Sequence, residues 1–408
     1  MKTKNKLLSN IYGLSSINII NILVPLIMMP YLSRTVGADG YGVFFIFTSA
    51  ISFALIVMDY SVNITGVREV AQSPAGMWQR IYTQNQSVRF CLCFFSVVAC
   101  TLYTVVFAEG YNDKLVFTFA IYAITLSGYY MSTPWFFHGV SDMKVIAVSS
   151  LLTRLLQLIF VLFFIKSKKD LDILILSNAL SYFSTGVVAS LYRKVRYKLK
   201  ERLEINEAKN GFISGVNSFI GDFAPNLYSN IPQLIIGAIV PPSVFAAYSI
   251  AMRLINIAGS FQVIMCKSFY PLMSSGELSL KNLLYINIFL SVMAATFIYF
   301  FGLPLIVFLF GNEMSQAYYY LLPLAVSMIF AGVLWSFSYG YFLPNRLDKE
   351  FRNISVIASV LSAVVGYFMI YAYGAYGAIA MFVFARLLFA CLYTFKYVSR
   401  LRKPFHKC

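Results

Sequence analysis

Apolar residues in this chain neither alternate nor recur once per helical turn. They run on for about twenty positions at a time, separated by short polar breaks. A helix rises about 1.5 Å per residue, so each run is long enough to cross a hydrocarbon layer roughly 30 Å thick. Twelve such runs are predicted, at approximately 11–32, 43–64, 86–108, 115–137, 145–165, 171–192, 211–237, 243–267, 283–310, 317–343, 354–373 and 375–398. Every face of these helices is apolar, so the expected solvent is lipid rather than water.

Composition agrees. Hydrophobic residues fill 59% of 408 positions and charged residues 12%, about half the share in ordinary soluble domains. The opening Met1-Lys-Thr-Lys-Asn-Lys is basic like the head of a signal peptide, but no small-residue cleavage pattern follows, so it reads as the start of a retained first span. Orientation follows from Lys and Arg. With the N-terminus in the cytoplasm, 22 of the 32 basic residues lie in or at the ends of cytoplasmic segments, and five (Arg34, Lys114, Lys166, Lys168, Lys169) are periplasmic. The positive-inside rule therefore selects both termini in the cytoplasm, with Lys166, Lys168 and Lys169 as a local exception. Seven basic residues between Arg193 and Lys209 mark a central cytoplasmic linker. The net charge of +16 is mostly topology, and without a soluble basic face the chain has no use for nucleic acid.

The seventh run begins almost half-way. The first helix of each half carries two prolines, Pro25 and Pro30 against Pro225 and Pro232, and Asn18 stands 204 positions before Asp222. Proline-broken spans at matching places in two six-span halves point to a transporter whose site lies between its repeats. The organisation read from this is a six-helix lobe at 1–192, a basic linker at 193–210, a second six-helix lobe at 211–398 and a basic tail at 399–408. Both halves begin in the cytoplasm, which makes them parallel repeats.

Candidate chemistry is sparse. Asp59, Asp222, Arg89, Arg154, Arg253, Lys267 and Arg386 fall inside spans, where a charge costs at least about 2.5–3.5 kcal/mol at the helix centre and needs a partner or a wet cavity. Counted from the span ends, Arg89 and Lys267 are shallow enough to snorkel, while Arg154, Asp222, Arg253 and Arg386 are near mid-depth. Arg253 and Asp222, on adjacent helices by this reading, suit either a structural ion pair or a working site. Asp59, near the end of its run, suits either bonding to loop amides or a role in transport. Guanidinium is fitted to phosphate oxygens, and a carboxylate can take up a proton or a cation.

Other chemistry is excluded. Gly37-Ala-Asp-Gly-Tyr-Gly has the glycines of a nucleotide fingerprint in the wrong order and follows no strand, and no G-x-x-x-x-G-K-[ST] motif is present. His138 and His406 are the only histidines, and the six cysteines lack metal-ligand spacing, so neither metal, disulfide nor cofactor is expected.

Three segments carry a resemblance: Pro30-Tyr-Leu-Ser-Arg-Thr-Val-Gly-Ala-Asp-Gly-Tyr-Gly-Val-Phe, Asp59-Tyr-Ser-Val-Asn-Ile-Thr-Gly-Val-Arg-Glu-Val-Ala and Trp135-Phe-Phe-His-Gly-Val-Ser-Asp-Met-Lys. They resemble the Wzx-type O-antigen flippases, of the polysaccharide transporter family in the multidrug/oligosaccharidyl-lipid/polysaccharide superfamily. The second half matches through its layout and Tyr248-Ser-Ile-Ala-Met-Arg253, and His138 departs from the usual Gln. The resemblance implies an all-α protein with two lobes around a cationic, alternately opening cavity in a bacterial inner membrane. It implies as substrate an undecaprenyl-pyrophosphate-linked oligosaccharide, with membrane lipid and other polysaccharide-assembly membrane proteins as partners, and no enzymatic step. Arg253, Arg154, Arg386 and Arg34 are then the candidate substrate-binding residues, and Asp222 and Asp59 the candidates for ion coupling. A drug exporter of the same superfamily would favour acids over arginines at mid-depth. A membrane-embedded polymerase or glycosyltransferase would need a larger loop bearing acids.

Overall fold

The computed structural model describes the backbone of residues 2–274 and 279–401, and most side chains from Val24 onward. The last residues of the basic tail, 402–408, and the side chain of Asn18 lie outside the described residues. Among the described residues the chain is entirely helical: α1 (Lys2–Asp59), α2 (Thr65–Gln72), α3 (Trp78–Phe107), α4 (Leu115–Ser132), α5 (Pro134–Gly139), α6 (Met143–Phe164), α7 (Leu171–Tyr197), α8 (Ile205–Phe223), α9 (Asn226–Ser229), α10 (Ile231–Ile239), α11 (Pro242–Ser274), α12 (Leu280–Phe310), α13 (Gln316–Phe337), α14 (Asp348–Tyr373) and α15 (Ala375–Leu401), with short 3₁₀ and π turns between some of them.

Ten of the described helices are long and apolar enough to cross a membrane. The sequence predicts twelve runs, and the difference arises at two places. First, α1 covers two runs but is not one rod: Gly37 adopts φ 74 and ψ 176, outside helical geometry, so two helices meet there. A side chain at this position would have to take a left-handed conformation and would place its Cβ 3.0 Å from Lys168 Cε. Second, the run at 211–237 is divided into α8, α9 and α10. The pieces join around Pro225 and Pro232, which cannot donate backbone hydrogen bonds to the preceding turn.

The chain packs as two compact units, Met1–Phe223 and Ala224–Cys408. In the first, α4 and α7 approach until backbones touch: a Cβ on Gly128 would stand 2.5 Å from the carbonyl of Tyr182, and one on Gly186 would collide with the carbonyl of Gly128. Lipid offers no hydrophobic drive to join two helices, so such close backbone packing supplies the cohesion. In the second unit α14 and α15 use the same device, Gly377 lying against the backbone of Met369. The first unit also holds an aromatic cluster at one end, with Tyr82, Trp135, Phe136 and Phe137 buried together with Leu199.

Candidate functional site

The intramembrane charges divide between the two units, and the structure places them differently from their depth in the sequence. Arg89 on α3 does not snorkel; its side chain is fully buried. One nitrogen donates to Gln86 Oε1 at 2.8 Å and to the carbonyl of Tyr130 at 3.2 Å, the other to the carbonyl of Tyr129 at 3.4 Å. These carbonyls belong to the last turn of α4, where the helix has no further amides to offer and its dipole favours a cation. The rings of Tyr129 and Tyr130 lie 5.3 and 5.9 Å from the guanidinium carbon. Lys267 is exposed.

Asp59, at the end of α1, is the acid that answers Arg89. Its Oδ1 stands 3.7 Å from Arg89 Nη2, while its Oδ2 accepts from Tyr129 Oη at 2.7 Å and from Asn63 Nδ2 at 2.5 Å. The partners of Asp59 are therefore side chains from α3, α4 and its own following turn, not loop amides. Its Oδ1 is buried and receives no hydrogen bond, and Arg89 Nε is likewise without an acceptor, so the pair is close but not fully satisfied.

Asp222, exposed on α8, belongs to the same unit as Asp59. The chain brings it there because α8 lays one face against the end of α1. Tyr60 donates to the carbonyl of Phe212 at 3.0 Å and stacks on Phe219 at 4.6 Å, and Phe223 meets Phe53 at 6.1 Å. Gly215 leaves room for the Tyr60 ring, which a Cβ would approach to 2.9 Å. Asp222 thus stands in the first unit and Arg253 in the second.

Arg193, assigned by sequence to the linker, ends inside helix α7 and is fully buried. It caps α4 from the other side, donating to the carbonyl of Met131 at 2.8 Å and to Thr133 Oγ1 at 2.5 Å. Its second nitrogen bonds Ser190 Oγ and Glu201 Oε1, and the guanidinium lies 4.8 Å from the Tyr82 ring. The linker itself is fastened along α3. Gln79 and the Lys200 backbone exchange two hydrogen bonds of 2.9 Å, Tyr82 Oη donates to Glu201 at 2.5 Å, and the Glu204 amide donates to Ser87 at 3.0 Å.

Among the other candidates, Arg34 on α1 is exposed, and Arg154 on α6 is half-buried, donating to Gln157 Oε1 at 3.1 Å. Gln157 in turn donates to Asn178 on α7 at 3.0 Å. In the second unit Arg253 on α11 is half-buried. Arg386 on α15 is 9% exposed and donates to Ser327 Oγ on α13 at 2.9 Å, with the Phe382 ring 4.3 Å away. Gly259 on α11 lies beside it, at a distance where even a Cβ would meet Arg386 Nη2 in ordinary contact, 3.6 Å. Among the described residues no carboxylate stands within ion-pair distance of Arg386.

Sequence reasoning missed the Arg89–Asp59 pair and the burial of Arg193. A usable signal for the first was Gln86, one helical turn before Arg89, which marks a polar stripe on an otherwise apolar helix. Among the described residues no group of three or more His, Cys, Asp or Glu could hold a metal ion.

Residues 7–277 match the family described as polysaccharide biosynthesis protein. Two curated proteins named "Putative O-antigen transporter" are similar in sequence. The one from Escherichia coli (strain K12) is 24% identical over 67% of this chain and 66% of its own length, just under two thirds. The one from Shigella dysenteriae is 20% identical over 90% of this chain and 94% of its own. Among solved structures, the lipid II flippase MurJ in an inward closed conformation shares the fold with a TM-score of 0.74 at 11% identity, covering 94% of this chain and 87% of that one. An inward-facing multidrug resistance MATE family transporter of the MOP superfamily gives 0.63 at 13% identity, with coverage of 93% and 98%.

Proposed function

Because the chain belongs to the polysaccharide biosynthesis protein family, within the superfamily of multidrug, oligosaccharidyl-lipid and polysaccharide transporters, we propose that it flips an undecaprenyl-pyrophosphate-linked oligosaccharide from the cytoplasmic to the periplasmic leaflet of a bacterial inner membrane. It works as a carrier by alternating access, not as an enzyme. The two curated relatives named for O-antigen transport support this substrate class over organic cations. The observation that carries the reading is Arg386, a buried intramembrane cation whose neighbours among the described residues are a hydroxyl and an aromatic ring rather than an acid. A charge kept at such cost in lipid marks a substrate path.

In this reading α1 counts as two spans and α8 to α10 as one broken span. Counted so, the spans number twelve in two parallel six-helix lobes, 1–192 and 211–398, of which α8 at the start of the second packs with the first unit, and both termini and the 193–210 segment are in the cytoplasm. Arg386 and Arg253 in the second unit, and Arg154 and Arg34 in the first, are the cations that attract the pyrophosphate, while the polyprenyl chain stays in lipid. Asp59 and Asp222 take up the coupling ion, as carboxylates able to bind and release a proton or a cation. Membrane lipid and other polysaccharide-assembly proteins are its surroundings.

Deletion of the gene, followed by analysis of lipid-linked intermediates, is the test. Single undecaprenyl-linked repeats should build up on the cytoplasmic side while surface polysaccharide is lost. Normal surface polysaccharide, or a block before the repeat is complete, would refute the function.

A further inference from the structure

The linker carries a carboxylate into a place built from donors. Glu201 Oε1 alone receives Tyr82 Oη and Arg193 Nη2, and Arg193 is fully buried behind it. Donors remain in excess. Arg193 Nε is buried with no acceptor, and so is Nε1 of Trp135, whose ring stacks on Tyr82 at 6.1 Å. Buried donors without acceptors are uncommon and costly, and they point to an acceptor-rich ligand. On the same stretch of chain, Lys194, Arg196, Lys198, Lys200 and Arg202 are all exposed and raise the local concentration of anions.

Glu201 is itself removable. Its side chain is 32% exposed, whereas two residues earlier Leu199 is held in the aromatic cluster and Gln79 clamps the Lys200 backbone. The acid can therefore swing out about its own bonds while the strap stays fastened.

We propose that the Arg193–Tyr82 pocket is an anion site for a pyrophosphate group, occupied in this structure by Glu201 as a built-in competitor. Resting on the flippase reading, the ligand is the pyrophosphate of the lipid-linked substrate arriving from the cytoplasmic leaflet, and Glu201 holds the pocket closed until it is displaced. A pyrophosphate brings more acceptor oxygens than a carboxylate, so it can satisfy donors that Glu201 leaves open. Exchange of one anion for another keeps the buried guanidinium paired throughout, which avoids the cost of stranding it.

The test uses the full-length protein in nanodiscs with Trp335→Phe, so that fluorescence reports Trp78 and Trp135 beside the pocket. Inorganic pyrophosphate is titrated first. Glu201→Ala should bind it on the order of tenfold more tightly than the parent, corresponding to about 1.4 kcal/mol, and Tyr82→Phe added to Glu201→Ala should weaken binding again. Glu201→Gln, which keeps the shape, must also bind more tightly than the parent. Nanodiscs doped with polyprenyl pyrophosphate should compete with the free ion, whereas phosphatidylglycerol should not. Equal affinity in parent and both Glu201 variants overturns the proposal, as does equal competition by phosphatidylglycerol; failure of polyprenyl pyrophosphate to compete leaves a site for the free ion only and overturns the substrate assignment. None of these readouts requires translocation, so a failed flippase assay is separable from a failed pocket.

Discussion

The two units differ in what they add to the buried neutral hydrogen bonds that both contain. The first concentrates charge: Arg89 with Asp59, and Arg193 with Glu201, both arginines capping the end of α4. The second joins α11, α12 and α13 through neutral groups. Gln262 donates to Ser291 Oγ at 2.7 Å and to the carbonyl of Met328, and Asn287 donates to Ser336 Oγ at 2.8 Å and to Cys266 Sγ at 3.2 Å. Neutral hydrogen bonds in lipid hold helices without caring about protons, ions or competing anions. Ionic ones can be exchanged. The contrast therefore separates a half built to respond from a half built to stay assembled, with Arg386 as the second unit's buried exception.

Breaking the first unit's charge should have the largest effect. Arg89→Ala strands Asp59 and uncovers the end of α4, and a loss of about 3–5 kcal/mol is expected in denaturant unfolding in micelles. Adding Asp59→Asn should recover part of it. Equal losses in the single and double variants would show that Arg89 acts only through the α4 carbonyls.

Arg386→Met should behave in the reverse sense. Its removal strands no carboxylate and relieves the cost of a buried charge, so unfolding should change little. Flipping in proteoliposomes should fall by on the order of ten- to a hundredfold, the loss of a charge-assisted contact worth about 1.5–3 kcal/mol. A stability loss with retained flipping would make Arg386 a brace and erase its difference from Arg89.

The smallest effect belongs to the neutral network. Asn287→Ala should cost about 0.6 kcal/mol, the usual worth of an interhelical hydrogen bond in a bilayer, with no change in ion or anion dependence. A larger loss would mean that Asn287 Oδ1, buried and without a donor, conceals a further role.

Long apolar runs are self-announcing, so the helices were legible from sequence, and so was the break at Pro225 and Pro232. The charge partners were not. Distance along the chain says nothing of which helix faces which, and Arg89 finds Asp59 across 30 positions by a packing that apolar faces do not specify. Depth counting failed for the same residue because it assumes the cheapest exit to water, whereas the end of α4 offered Arg89 carbonyls nearer at hand. Arg193 was read as linker because the apolar run stops before it, though the helix continues to Tyr197. Asp222 was placed by its run in the second half, but Tyr60 and the Phe212–Phe219 face of α8 fasten it to the first unit.

The glycine contact between α4 and α7 has a mechanical consequence. With backbone against backbone at Gly128 and Gly186, the two helices have no compressible side chains between them and shift as a single stiff beam. Arg193 rides on one member of that beam and grips the end of the other. A displacement of either helix at this crossing must therefore carry the other with it, and with them the Arg193 end where Glu201 engages.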